Sequence, residues 1–320
     1  MSELHKFLFD GLPVRGMIVR LTDAWVEILK RRRADDAAAP WPWPVAEMLG
    51  EMAAAAALMQ ANIKFNGALI LQIFGEGPVK VAVAEVQQDL SLRVTAKVVG
   101  EVAADAHLQD LVNVNGRGRC AITLDPKERV PGQQAYQGVV PLNASHGPAQ
   151  PRLADVIEHY MRQSEQLDTK LVLAANESVA AGLLIQRLPA EGEGNLGSQK
   201  MDLEEQKEHF NRIATLAGSL TGDELLGLDV ETVLRRLFWQ EKLLRFDVQT
   251  PRFACTCSRD RVAGMIRGLG QEEADSILAE RSEIDVSCDF SGEHYRFDAV
   301  DAAQIFMPPG AKAPGPTTVQ

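Results

Sequence analysis

The sequence predicts an α+β protein: an N-terminal core built on mixed, mainly antiparallel sheet, then a helical segment, then a small cysteine-bearing domain. Three observations predict it. Between residues 68 and 188, short runs rich in Leu, Ile and Val recur with turn residues between them and one helical pattern among them. At Glu191-Gly-Glu-Gly-Asn-Leu-Gly-Ser198 apolar periodicity stops, and amphipathic helical patterns follow. Past residue 250 the texture changes again, around Cys255-Thr-Cys257 and Cys288. The expected segments are 1–190, 191–250 and 251–306. Residues 307–320, with four prolines and few large apolar side chains, are expected to be a disordered tail.

Residues 4–33 alternate short apolar runs around the turn Asp10-Gly11-Leu12-Pro13 and end in a helix, Asp23 to Arg33. The run Lys30 to Arg33 sits where basic charge complements the helix dipole. Ala39-Pro-Trp-Pro-Trp-Pro44 is read as a loop, since its prolines fit neither helix interior nor central strand. The stretch Val45 to Ile63 is apolar but carries Glu47 and Glu51 and five consecutive alanines, so it is a buried helix and no membrane span. Ala68–Phe74 and Val79–Val86 flank Gly75-Glu-Gly-Pro78, a hairpin signal. Further strands are expected at 92–99, 119–124, 135–140, 171–174 and 180–188, with a helix at 153–166.

Beyond residue 200, Thr221 to Glu224 has capping-box spacing, and Asp229 opens a helix carrying Val233, Leu234, Leu237 and Phe238. Short amphipathic helices of this kind depend on packing against something else. In the last segment a helix capped by Ser258 stops near Gly270, a second covers 272–280, and strands at 284–288 and 293–298 flank Gly292.

Composition restricts the function. With 320 residues, 46% hydrophobic and 24% charged, the chain has ordinary globular composition for about two domains. The start, Met-Ser-Glu-Leu-His-Lys, lacks a secretory pattern, so a cytoplasmic location is expected. Net charge is −11, distributed as −2 over residues 1–190, −5 over 191–250 and −4 over 251–320. An acidic cysteine module lacks the Lys/Arg excess that neutralises phosphates, which argues against nucleic acid as a ligand. The glycines near 75 and 116 match no P-loop or dinucleotide fingerprint, and the histidines outside the cysteine region have no ligand spacing or nucleophile beside them. No catalytic constellation emerges, so no enzyme activity is expected.

Of four cysteines, Cys120 lies in an apolar strand and reads as core. Cys255, Cys257 and Cys288 read as a site: in a reducing cytosol such a cluster points to metal or regulated thiol chemistry. Zinc takes four tetrahedral ligands with Zn–S distances of about 2.3 Å. Only three thiols are present, so the fourth ligand is open between His294, Asp289, water and nothing, with His294 favoured on chemistry. Three buried cysteines without metal are the plain alternative. Cys255 and Cys257, separated only by Thr256 and so the one pair close enough in sequence to guarantee proximity, are the expected redox-active disulfide. A thiol oxidoreductase is the competing enzyme reading, but Cys-x-Cys replaces the Cys-x-x-Cys at a helix start that such enzymes use. A zinc-ribbon nucleic-acid module is a further competing reading.

The run Cys255-Thr-Cys-Ser-Arg-Asp-Arg-Val-Ala-Gly-Met-Ile-Arg-Gly-Leu-Gly270, followed by Cys288-Asp-Phe and Tyr295-Arg-Phe-Asp298, resembles the zinc domain of the bacterial thirty-three-kilodalton heat-shock chaperonin family. Phe7–Gly16, Tyr136–Pro141, Tyr160–Gln166 and Leu234–Phe238 are similar to its core and linker, in the same order, so the likeness spans roughly residues 4–306. It implies an ATP-independent holdase that is inactive when reduced and zinc-bound, and active on oxidation with mild unfolding. It implies a chaperone core (1–190), a helical linker (191–250) and a zinc and redox switch (251–306) whose oxidation releases zinc and unfolds the C-terminal region. The family's four thiolates fall on Cys255, Cys257, Cys288 and the position of Ser291, so its second disulfide is impossible here. On that reading Leu225, Leu226, Leu237, Phe238 and Leu243 of the linker become available to unfolding client proteins, and oxidation leaves Cys288 either free or paired between chains as a homodimer.

Overall fold

The computed structural model describes residues 1–35, 39–128, 134–143, 152–188 and 202–307. In chain order the elements are β1 (Glu3–Phe9), β2 (Val14–Leu21), α1 (Asp23–Ala34), α2 (Trp43–Asn62), β3 (Gly67–Phe74), β4 (Val79–Gln87), β5 (Ser91–Val98), α3 (Leu108–Val112), β6 (Arg119–Pro126), β7 (Tyr136–Pro141), α4 (Leu153–Ser164), β8 (Thr169–Ala175) and β9 (Ala180–Arg187). Then follow α5 (Leu203–Gly218), α6 (Gly222–Gly227), α7 (Val230–Phe238), β10 (Leu243–Arg245), β11 (Arg252–Phe253), α8 (Arg259–Leu269), α9 (Gln271–Arg281), β12 (Ile284–Ser287), β13 (His294–Phe297) and α10 (Ala299–Phe306). The architecture is α+β, as the sequence predicts. The glycine-rich stretch 191–198 and the tail from residue 308 lie outside the described residues.

The chain divides into two compact units, Met1–Lys30 with Pro40–Ala254, and Arg31–Ala39 with Cys255–Gln320. The first holds a five-stranded sheet, β10-β1-β2-β9-β8, and a six-stranded sheet, β11-β5-β4-β3-β6-β7. All pairings are antiparallel except β11 with β5. The Gly75–Pro78 segment closes the β3–β4 hairpin as expected.

Helix α2 runs between the sheets, and its alanines Ala53 to Ala57 are fully buried. Methyl-sized side chains allow packing on several sides of one helix, which is why this stretch is apolar all round. It begins at Trp43, two residues inside the segment read as a loop. Pro42 is the N-cap and Pro44 falls in the first turn, where a missing N–H breaks no hydrogen bond.

On the other face of the five-stranded sheet lie α5, α6 and α7. Strand alternation serves both sides: Met17, Val19 and Leu184 join the α2 core, whereas Ile18, Leu183 and Ile185 face the helices. Phe238 packs edge-on against Phe9 with ring centroids 5.0 Å apart, and Phe7 lies over Gly16, where a Cβ would meet the ring at 2.2 Å. Thr221 and Asp229 cap α6 and α7 as the sequence predicts. The Arg20 guanidinium donates to the carbonyls of Leu225 (2.5 Å) and Leu226 (2.9 Å), tying the end of α6 to β2. No helix among the described residues is long and apolar enough to cross a membrane.

In the second unit α8, α9 and α10 surround the β12–β13 hairpin. Val262, Ile266, Ala274, Ile284, Phe297, Ala302 and Ile305 form its small core.

Candidate functional site: a three-thiol cluster

Two short segments of the second unit meet at the cysteines. Before α8, Ser258 accepts a hydrogen bond from the Arg261 N–H and caps the helix. Arg261 reaches back from the first turn to the Thr256 carbonyl (3.0 Å) and hydroxyl (2.6 Å), which fixes the residue between Cys255 and Cys257. On the other side, the N–H groups of Ser291 and Gly292 donate to the Cys288 carbonyl, and the Cys288 N–H donates to Glu293. Gly292 has φ +67°, and a Cβ there would press on the Asp35 side chain at 3.1 Å, so both conformation and space require glycine.

The sulfurs of Cys255, Cys257 and Cys288 lie within 4.8 Å of one another, the one cluster of this kind among the described residues. Cys255 and Cys288 are 3.7 Å apart, and the Ser291 hydroxyl lies 3.3 Å from the Cys257 sulfur. Tetrahedral zinc with bonds of about 2.3 Å sets its sulfurs about 3.8 Å apart, so the donor set fits: three thiolates and, at the fourth corner, a hydroxyl. Ser291 is only 5% exposed. Hydrogen bonding to Cys255, opposed by burial and aided by the Ser291 hydroxyl and two backbone N–H groups, lowers the Cys288 pKa to about 4, which makes it a thiolate at neutral pH. The Tyr295 hydroxyl is hydrogen-bonded to Cys257, which pushes it above the usual phenol range.

The remaining candidates sit elsewhere. His294 is not brought to the sulfurs: Nδ1 lies 3.0 Å from Asp285 and Nε2 3.6 Å from Asp35, and these carboxylates, Asp285 foremost, raise its pKa. Asp289 is not part of the cluster. Cys120 is fully buried in β6 of the first unit, where burial pushes its thiol up to about 12. Leu225 and Phe238 are buried in the core beneath α5–α7, and Leu226, Leu237 and Leu243 pack partly buried against it. Sequence reasoning missed the Arg261 clamp and Asp35. The first was signalled only by a basic residue in the first turn after the Ser258 cap, and the second by nothing local.

Fold and site together define a two-unit α+β protein whose smaller unit gathers three thiols from two separated segments. A family model described as Hsp33 protein matches residues 2–298. The chain is 41% identical to the 33 kDa chaperonin of Chromobacterium violaceum, over 95% of this chain and 94% of that relative. It is 40% identical to the 33 kDa chaperonin of Ectopseudomonas mendocina, over 98% of both. Among solved structures, that of a 33 kDa chaperonin (heat shock protein 33 homolog) from Thermotoga maritima superposes with TM-score 0.73 at 18% identity, covering 95% of this chain and 97% of that one, a likeness of fold. The chain belongs to the Hsp33 family of chaperones.

Proposed function

We propose that this chain is a cytoplasmic, ATP-independent holdase that binds unfolding proteins under oxidative stress and performs no catalysis on them. The observation that carries the reading is the convergence of Cys255, Cys257 and Cys288 on one point, with Ser291 completing the corner. Zinc, held there by the three thiolates with the protonated Ser291 hydroxyl as at most a weak fourth donor, would keep the sulfurs deprotonated and join the segment before α8 to the β12–β13 hairpin.

The chain's own thiols supply the switch. A thiolate attacks peroxide, an S–O bond forms as O–O breaks, and hydroxide leaves; a second thiol then displaces the sulfenic oxygen as water. Two sulfurs lose two electrons and peroxide becomes two waters. Cys255 and Cys257 are the pair for this step. Their disulfide removes two donors and the tie to Cys288, the small core of the second unit loses its staple, and the helices of 202–246 follow. Leu225, Leu226, Leu237, Phe238 and Leu243 then offer apolar surface to clients. Cys288, left without a partner in its own chain, pairs between chains and gives a homodimer.

The test is aggregation of a thermally unfolding client, followed by light scattering without nucleotide. Protein treated with peroxide and mild heat suppresses scattering and the reduced protein does little. Equal activity before and after oxidation refutes the switch, and no activity in either state refutes the holdase.

A further inference from the structure

Helix α6 spans only Gly222–Gly227 and lies on β8 and β9. A helix so short does not hold itself, because its few hydrogen bonds barely offset the cost of forming the first turn. Its N-terminal end is fastened by the Thr221–Glu224 capping box and by Arg236 of α7, 3.0 Å from the Glu224 carboxylate. At the other end the chain becomes extended at Leu228, and the carbonyls of Leu225 and Leu226 are left without a helical N–H. Both accept from one side chain, the guanidinium of Arg20 on β2, at 2.5 and 2.9 Å.

Strand alternation puts Arg20 on this side of the sheet. Ile18, two residues before it, faces the core beneath α5–α7, and across the β2–β9 ladder Arg20 is opposite Ala181, which belongs to the same core. Among the described residues no carboxylate pairs with Arg20, so the two carbonyls are what its guanidinium holds. The rest of the contact beneath α6 is apolar and centres on Leu225, which is fully buried. Apolar burial is non-directional, whereas the planar fork of a guanidinium bonded to two successive carbonyls fixes where the helix end sits.

We propose that Arg20 is a positioning residue of the linker: its two hydrogen bonds hold α6 against β8 and β9 with Leu225 and Leu226 covered, and so set how readily this surface opens while the thiols are still reduced. The inference rests on the holdase reading and deepens it, because it puts a second determinant of opening in β2, in a different unit from the cysteines. Without the guanidinium the two carbonyls are unpaired in the closed state and hydrated in the open one. Losing hydrogen bonds from a charged donor shifts such an equilibrium toward opening by about tenfold or more.

The test uses the full chain, reduced and with zinc in excess, and compares wild type with Arg20→Met, which keeps the apolar stem and removes the donors, and Arg20→Lys, which keeps the charge and can reach one carbonyl. Amide hydrogen exchange of residues 221–228 is followed by mass spectrometry, and a thermally unfolding client by light scattering. In Arg20→Met the expected result is exchange at 221–228 faster by about tenfold or more, unchanged exchange in β3 and β6, and partial suppression of client scattering with metal content and free thiols as in wild type. Arg20→Lys falls between the two. Unchanged exchange at 221–228 overturns the proposal, and so does acceleration shared by β3 and β6, which marks a merely structural role. Loosening of α6 without client suppression, loss of metal from Arg20→Met, or no recovery in Arg20→Lys also overturns it. Failure here leaves client suppression by oxidised wild type intact, whereas failure of the holdase reading removes it.

Discussion

Replacing Ser291 by cysteine tests the fourth corner of the thiol cluster. The hydroxyl lies 3.3 Å from the Cys257 sulfur and Ser291 itself is 5% exposed, so a sulfur at the same Cβ takes the same direction with little new volume. Structural zinc sites in small domains supply roughly 10–16 kcal/mol of apparent binding free energy at neutral pH. Shared over four thiolates, that is about 3 kcal/mol per ligand, of which a serine oxygen, still protonated near pH 7, supplies little. The Ser291→Cys variant should therefore bind zinc about two orders of magnitude more tightly, by competition with a chromophoric chelator. Metal binding and folding of the second unit are linked, so the reduced variant should also show less basal client binding than the wild type. Ser291→Ala controls for the hydroxyl itself and should bind zinc more weakly than wild type. Unchanged affinity in Ser291→Cys, with the fold intact by circular dichroism, would refute the placement of position 291 at the metal.

Two predictions concern the first unit. Burial, reinforced by Glu47, raises the Glu51 pKa from 4.5 to about 8, so the unfolded chain sheds a proton that the folded chain keeps and stability falls as pH rises from about 4.5 to about 8. Glu51→Gln should remove that slope and add at most about 3 kcal/mol at pH 7; urea melts at pH 5, 7 and 8.5 measure it, and parallel curves for the two proteins refute it. Phe238→Ala empties the contact with Phe9 and Phe7, should cost about 3–5 kcal/mol, and should let reduced protein suppress client aggregation in part; a lower melting midpoint without that gain counts against α7 as a covered client surface.

What was legible in the sequence is what local chemistry determines. The Gly75–Pro78 turn, the capping box at Thr221 and the caps at Asp229 and Ser258 are readable because a side chain answers an N–H two or three residues away. Helix α10 is not legible in the sequence, although Asp298 caps it through the N–H groups of Val300 and Asp301, because Glu293–Asp298 reads as a strand and the helix spans only eight residues. Strand β10 was missed for a different reason. Leu-Leu-Arg is a strand because β1 lies beside it, and no three-residue pattern carries that information. The same limit governs the site. Sequence supplied the thiols and, through resemblance, their grouping, but His294 was favoured as a ligand only while its neighbours were unknown. Its partner Asp285 lies on the paired strand and Asp35 comes from the other end of the chain.

With three thiols and one hydroxyl at the cluster, the choice of disulfide decides the direction of the switch. Cys255 and Cys288 are 33 residues apart with sulfurs 3.7 Å from each other, and a bond between them would close a long loop. Loop closure of that length removes about 4 kcal/mol of denatured-state entropy, so this pairing would staple the unit shut. A bond between Cys255 and Cys257 closes almost no loop and leaves the β12–β13 hairpin with no sulfur tie to the segment before α8. Among the described residues, seven apolar side chains are buried in the core of that unit, and a core so small seldom holds a domain without a metal or a cross-link. On the proposed function, opening would therefore require the short pairing. Because Ser291 has no sulfur, the short pairing always leaves Cys288 over, in a segment that has just lost its support. On the proposed function, unfolding of the switch and exposure of an odd thiol would be one event, and a covalent dimer would follow from the same serine that leaves the proposed metal site one thiolate short.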